Sequence, residues 1–131
     1  MFRKFAVAAV VLTAGFVFGA PAMAATVSDF TPAGFAAAQT SGAPVLVFVE
    51  ASWCPTCAKI RPVLADLYKD PAFATLQVFD VNFDTQKDVV REFGVRMQST
   101  LIAFHGGHEA ARTTGVTDPT AIKDLLLKAN S

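Results

Sequence analysis

Apolar residues run unbroken through Pro44-Val45-Leu46-Val47-Phe48-Val49. Such a run predicts a strand covered on both faces, and so a central one. Glu50 ends it. The period then changes: Cys57, Ile60, Leu64 and Leu67 recur at steps of three, four and three, the buried face of a helix packed on a sheet. Pro62 lies inside that helix, where it removes one backbone hydrogen bond and predicts a kink. Pro71 closes the segment. Upstream, Thr31-Pro32 predicts a helix start, a capping hydroxyl followed by proline in the first turn. Ala36, Ala37 and Ala38 continue that helix, and Gly42 and Pro44 end it.

Downstream, Leu76–Val81 predicts a second strand in which Asp80 is an unexpected charge. Asp84 is placed to cap a short helix from Thr85 to Phe93, stopped by Gly94. Thr100–Phe104 and Glu109–Thr114 predict two further strands joined as a hairpin by Gly106-Gly107. Asp118-Pro119 opens a last helix whose Ile122, Leu125 and Leu126 face the sheet. A short extra strand at Val27–Phe30 completes the pattern. The fold class is α/β, a mixed central sheet of four to five strands with helices on both faces, parallel first and ending in an antiparallel hairpin. Repeats and linkers are lacking, so one domain is expected.

The first 24 residues read differently. Arg3 and Lys4 precede an apolar run from Phe5 to Gly19, and Pro21-Ala22-Met23-Ala24 follows with small residues where an export peptidase cuts. An uncleaved anchor is the competing reading, but about 15 apolar residues fall short of the roughly 20 that span a bilayer. The expectation is a signal peptide over 1–24, cleavage after Ala24, a mature domain over 25–131, and export to the periplasm. Removing Arg3 and Lys4 leaves nine basic against eleven acidic residues. That balance lacks the basic excess of a nucleic-acid binder, so nucleic acid is not an expected partner. With 53% hydrophobic and 17% charged residues, the chain can bury a core and is not disordered.

Only two cysteines are present, in Trp53-Cys54-Pro55-Thr56-Cys57. The motif directly follows the predicted central strand and opens a predicted helix. A bridge closing so small a loop adds little stability in the chain-entropy model, which argues against a staple. At a helix N-terminus, unpaired amides and the helix dipole favour an ionised sulfur, and the thiolate is the nucleophile. Cys54, expected at the exposed end, would attack a partner's disulfide, and Cys57, one turn in, would resolve it. Pro55 pre-shapes the turn. Zinc would need two more ligands, and His105 and His108 flank a distant turn. Two thiolates could also hold Cu(I), a soft ion.

These residues carry a resemblance. Leu46 to Cys57, Lys59-Ile60-Arg61-Pro62-Val63-Leu64, Phe93-Gly94-Val95-Arg96 with Thr100 to Phe104, and Gly106-Gly107 with the closing helix are together similar to the thioredoxin family across nearly all of the mature chain. The resemblance implies a thioredoxin-like fold and a thiol-disulfide oxidoreductase acting on protein thiols or disulfides. Such exchange needs no bound cofactor, and a monomer is expected. An exported reductase also calls for a membrane electron-transfer partner, because each turnover leaves the protein oxidised and a soluble periplasm offers no obvious reductant. The alternatives are a copper-handling protein that binds Cu(I) through the two sulfurs and a disulfide-donating oxidant.

Three departures from the family stand out. The family's cis-proline before the third central strand is replaced by Ser99 in Gln98-Ser99-Thr100. A cis bond there would cost about 3–4 kcal/mol, so a trans bond is expected, and Ser99 offers a hydroxyl to the Cys54 sulfur. The family's buried aspartate is matched by Phe48 and its lysine partner by Asp80, leaving Glu50 and Asp80 as the candidate proton-handling carboxylates. Pro55-Thr56 lacks the histidine of strong oxidants, which points to the reducing side. Trp53, Pro55, Thr56, Gln98, Ser99 and Thr100 are the expected client contacts. Lys59 and Arg61 read as a solvated helix face.

Overall fold

The structure is a computed structural model that describes residues 23–131, with Gly15 and Gly19 before them. The expected leader lies almost wholly outside the described residues. In order, the chain forms β1 (Thr26–Asp29), α1 (Pro32–Thr40), β2 (Pro44–Glu50), α2 (Pro55–Leu67), a 3-10 turn (Pro71–Phe73), β3 (Gln77–Asn82), α3 (Lys87–Glu92), β4 (Thr100–His105), β5 (His108–Thr114) and α4 (Pro119–Ala129). The sheet has five strands in the order β1-β3-β2-β4-β5. β3 runs parallel to both β1 and β2, while β4 is antiparallel to β2 and to β5. Among the described residues, no helix is long and apolar enough to cross a membrane.

Local chemistry sets the helix starts. The Thr31 hydroxyl accepts from the Gly34 amide at 3.1 Å, and the Asp118 carboxylate accepts from the Ala121 amide at 2.8 Å. Each satisfies one of the amides that a helix start leaves open. Asp84 does not cap α3, contrary to the expectation. Asn82 turns the chain by accepting from the Asp84 and Thr85 amides at 2.9 and 3.0 Å, so α3 starts later, after Gln86, with no side-chain cap. Pro62 sits inside α2 on an exposed position, so the hydrogen bond it removes is lost on the water side, where the freed carbonyl can be solvated.

Strand alternation divides the core. Leu46 and Phe48 of β2 join Cys54, Cys57, Ile60 and Leu64 under α2, together with Ile122, Leu125 and Leu126 of α4. Val45, Val47 and Val49 face the other way, toward Ala38 of α1 and Val90 of α3. That second layer holds an aromatic group. Phe35 stands edge-on to Phe79, Phe93 and Phe104 at centroid distances of 6.0, 5.4 and 5.2 Å. Each such pair contributes about 0.5–1.5 kcal/mol beyond its buried area. The result is a rigid central strand whose C-terminal end delivers Glu50, Ala51 and the cysteine motif to one edge of the sheet.

Candidate active site

Cys54 is the N-cap of α2. The Cys57 amide donates to Cys54 Sγ at 3.0 Å, so the sulfur occupies the place where a capping oxygen usually sits. The two cysteines are joined as a disulfide, with Cα atoms 5.2 Å apart. A donor and a helix dipole aimed at one sulfur favour negative charge there once the bond opens.

Cys54 does not stand out at an exposed end as expected. It is 1% exposed and Cys57 0%. Both belong to the apolar cluster that holds Ala51 and Phe48, because the turn after β2 folds back over the sheet. The surface instead shows Trp53 and Met97, each 57% exposed, and Pro55. The Trp53 indole N–H donates to Asp84 Oδ2 at 2.7 Å, which fixes the ring beside the disulfide and is the role Asp84 has in place of a cap. Thr56 and Gln98 are half-buried.

The Gln98–Ser99 bond is trans. Ser99 is buried at 4% and holds a φ of 60°, a left-handed conformation that costs a residue with a Cβ about 1 kcal/mol. Its hydroxyl donates to the Gln98 carbonyl and not to Cys54. Its own carbonyl accepts from the Gly115 amide at 3.0 Å, which ties the loop to the end of β5. Ser99→Gly is therefore expected to raise unfolding stability by up to about 1 kcal/mol, and Ser99→Val to lower it. Urea titration of the two variants checks this; a loss in the glycine variant would contradict it. Thr100 is also buried. Its hydroxyl donates to the Met97 carbonyl at 2.8 Å and lies 3.0 Å from Thr114 Oγ1, so its side chain is engaged within the domain.

Arg61 is the residue that sequence reasoning missed. It is a half-buried clasp, not a solvated side chain. Its Nε donates to Glu50 Oε2 at 2.6 Å and its Nη2 to the Ala51 carbonyl at 2.9 Å. The four-residue spacing from Cys57, which puts both on one helix face, was the available signal. Asp80 pairs in register with Phe48. Burial pushes its carboxyl up to about 6, with Glu50 and Asp29 adding to the rise and Arg61 opposing it. Burial, then Asp80 and Glu50, hold the Tyr68 phenol well above its ordinary range, so Tyr68 stays neutral. A cavity of about 660 Å³ lies among Asp29, Glu50, Ala51, Arg61 and Asp80. His105 is bonded at the far end of β4, its Nδ1 2.9 Å from the Ala129 carbonyl, so the histidines and cysteines do not come together.

Comparison with known proteins agrees with this geometry. The thioredoxin family model matches residues 26–128. Thioredoxin 1 of Nostoc is 31% identical over 88 residues, 67% of this chain and 81% of that protein. Thioredoxin-2 of Saccharomyces cerevisiae is 36% identical over 85 residues, 63% of this chain and 76% of its own. The crystal structure of Trxlp from Edwardsiella tarda superposes with a TM-score of 0.76 at 48% identity, covering 77% of this chain and 98% of that one. A match that spans the described sheet and the capping cysteine pair together places this chain in the thioredoxin family, as a thiol-disulfide oxidoreductase.

Proposed function

We propose that this protein is an exported reductase of protein disulfides. Cys54, capped by the Cys57 amide, is the attacking sulfur. Its thiolate displaces one sulfur of a client disulfide, and Cys57 then attacks Cys54, closing the Cys54–Cys57 bond and freeing the client dithiol. Trp53, Pro55 and Thr56, which adjoin Cys54 or lie between the two cysteines, are the client contacts in this reading together with Gln98 and Ser99, and the exposed Trp53 and Met97 offer apolar surface to the client. The protein leaves each cycle oxidised, so a membrane electron carrier restores the dithiol.

The hydrogen bond to Cys54 Sγ is the observation that carries the nucleophile assignment. The reducing direction is supported by Pro55-Thr56, which sets no cation beside that sulfur. Export is supported by the leader pattern. The Ala25 amide, at the residue that follows the expected cut, donates to the Tyr68 carbonyl at 3.0 Å, so a chain cut there would keep its first residue bonded to the domain. Acid quenching and thiol trapping of cells tests the reading. The mature protein is expected to have the mass of residues 25–131, to partition to the periplasm, and to carry Cys54 and Cys57 mostly as free thiols. A pair held almost wholly as disulfide in growing cells would overturn the reducing role.

A further inference from the structure

Cys57 must lose a proton before it can attack, and at 0% exposure it cannot pass that proton directly to bulk water. We propose that Asp80 receives it, and that Arg61 is the positioning residue that gives Asp80 this task by holding Glu50 in an ion pair. The inference rests on the reading of Cys54 as attacker and Cys57 as resolver.

The geometry separates two carboxylates that the sequence leaves equivalent. Phe48 belongs to the cluster under α2, so alternation along β2 sends Glu50 to the same face. Val78 belongs to that cluster too, and alternation along β3 sends Asp80 there. Glu50 meets the Arg61 guanidinium at 2.6 Å. Among the described residues, no cation is paired with Asp80. The groups facing it are Asp29 from β1, Glu50 from β2, Arg61 from α2 and the neutral Tyr68 just after that helix. Burial first, and the neighbouring carboxylates after it, push the Asp80 carboxyl up to about 6, where it can take and release a proton, whereas Glu50 is held as the partner of Arg61.

Arg61 also acts on the turn. The Ala51 carbonyl that accepts from Arg61 accepts from the Cys54 amide at 3.2 Å as well. One guanidinium thus links the end of β2, the turn that carries Cys54 and the helix that carries Cys57. Ala51 packs with both cysteines and also lines the solvent-open cavity around Asp80, which is the proton's way out.

The step balances as follows. The Cys57 S–H bond breaks, and its proton passes through cavity solvent to Asp80. The Cys57 sulfur bonds to Cys54 Sγ while the bond from Cys54 to the client breaks, and the client sulfur leaves as a thiolate. The dithiol loses two electrons and the client disulfide gains them. Asp80 then returns its proton to solvent.

The experiment mixes the reduced protein with one equivalent of a symmetric aromatic disulfide that releases a coloured thiolate, from pH 4.5 to 8.5. The first coloured equivalent reports Cys54 attack and the second reports Cys57. In the wild type the second phase is expected to rise through a midpoint near 6. In Asp80→Asn that rise is lost and the second phase at pH 7 slows about tenfold or more, with the first phase within about twofold of wild type. Glu50→Gln moves the midpoint down and Arg61→Met moves it up, while Arg61→Lys restores it. A second phase in Asp80→Asn with the wild-type rate and midpoint overturns the inference. So does a midpoint that vanishes in Glu50→Gln and survives in Asp80→Asn. A first phase that persists in Cys54→Ser overturns the underlying assignment instead.

A second readout needs no chemistry. A carboxyl whose native pKa lies above its unfolded value makes the native state lose stability as pH rises between the two. Asp80→Asn is therefore expected to melt above the wild type at pH 8 and to lose that advantage by pH 4. Equal melting at both pH values overturns the inference.

Discussion

Cys57→Ser is expected to turn the protein into a trap. Cys54 keeps its cap and attacks, but nothing closes the cycle, so a covalent adduct with the client accumulates. Cys54→Ser forms no adduct and loses turnover by about a thousandfold or more, the scale expected when a covalent nucleophile is removed. The asymmetry comes from the N-terminus of α2. Only Cys54 Sγ receives the Cys57 amide, and only Cys54 lies between the exposed Trp53 and Pro55. Non-reducing electrophoresis of each variant with a client disulfide checks this. Equal adducts from the two variants would contradict the division of roles.

Phe48→Asp is expected to cost more stability than any other single change beside the site. Phe48 is 2% exposed, packs with both cysteines and stands opposite Asp80 on the neighbouring strand. Removing the ring costs about 3–5 kcal/mol. The aspartate adds a second carboxylate about 5 Å away across the strand pair, in a place already poor in water. At pH 8 both carboxylates are charged, and Phe48→Asp should be less stable than Phe48→Ala. Near pH 4 Asp80 is protonated, so the gap should narrow. Pairing Phe48→Asp with Asp80→Lys puts opposite charges on the two strands and should recover about 1–3 kcal/mol. Urea unfolding of the wild type and these three variants at both pH values measures this. If the double variant is no better than Phe48→Asp alone, the two side chains do not meet as described.

The parts of the fold set by local chemistry were legible in the sequence. Thr31 and Asp118 cap as expected because a capping bond reaches only two or three residues along the chain. The buried run at Pro44–Val49 and the helical stripe from Cys57 to Leu67 fall where their periods put them. Asp84 was misread because an acid before a helical stretch looks the same whether it caps that helix or receives an indole N–H from Trp53, thirty-one residues earlier. Cys54 was expected at an exposed end because its burial depends on how the turn packs on the sheet, not on its neighbours in sequence. Ser99 is similar. Its left-handed backbone follows from the loop's tie to Gly115, which no local preference of serine announces. Glu50 and Asp80 were both visible as candidate carboxylates, but choosing between them required Arg61, whose hydrogen bonds reach back ten and eleven residues.

The reduction potential of the Cys54–Cys57 pair tests the central claim most directly. The measurement is equilibration in glutathione buffers followed by thiol trapping. Thioredoxin sits at about −270 mV and a strong periplasmic oxidant at about −120 mV. With no cation from Pro55-Thr56 to stabilise the Cys54 thiolate beyond its cap, the pair is expected below about −220 mV, where the dithiol gives electrons to disulfides of higher potential. A value above about −160 mV would contradict the account and make the protein a donor of disulfides.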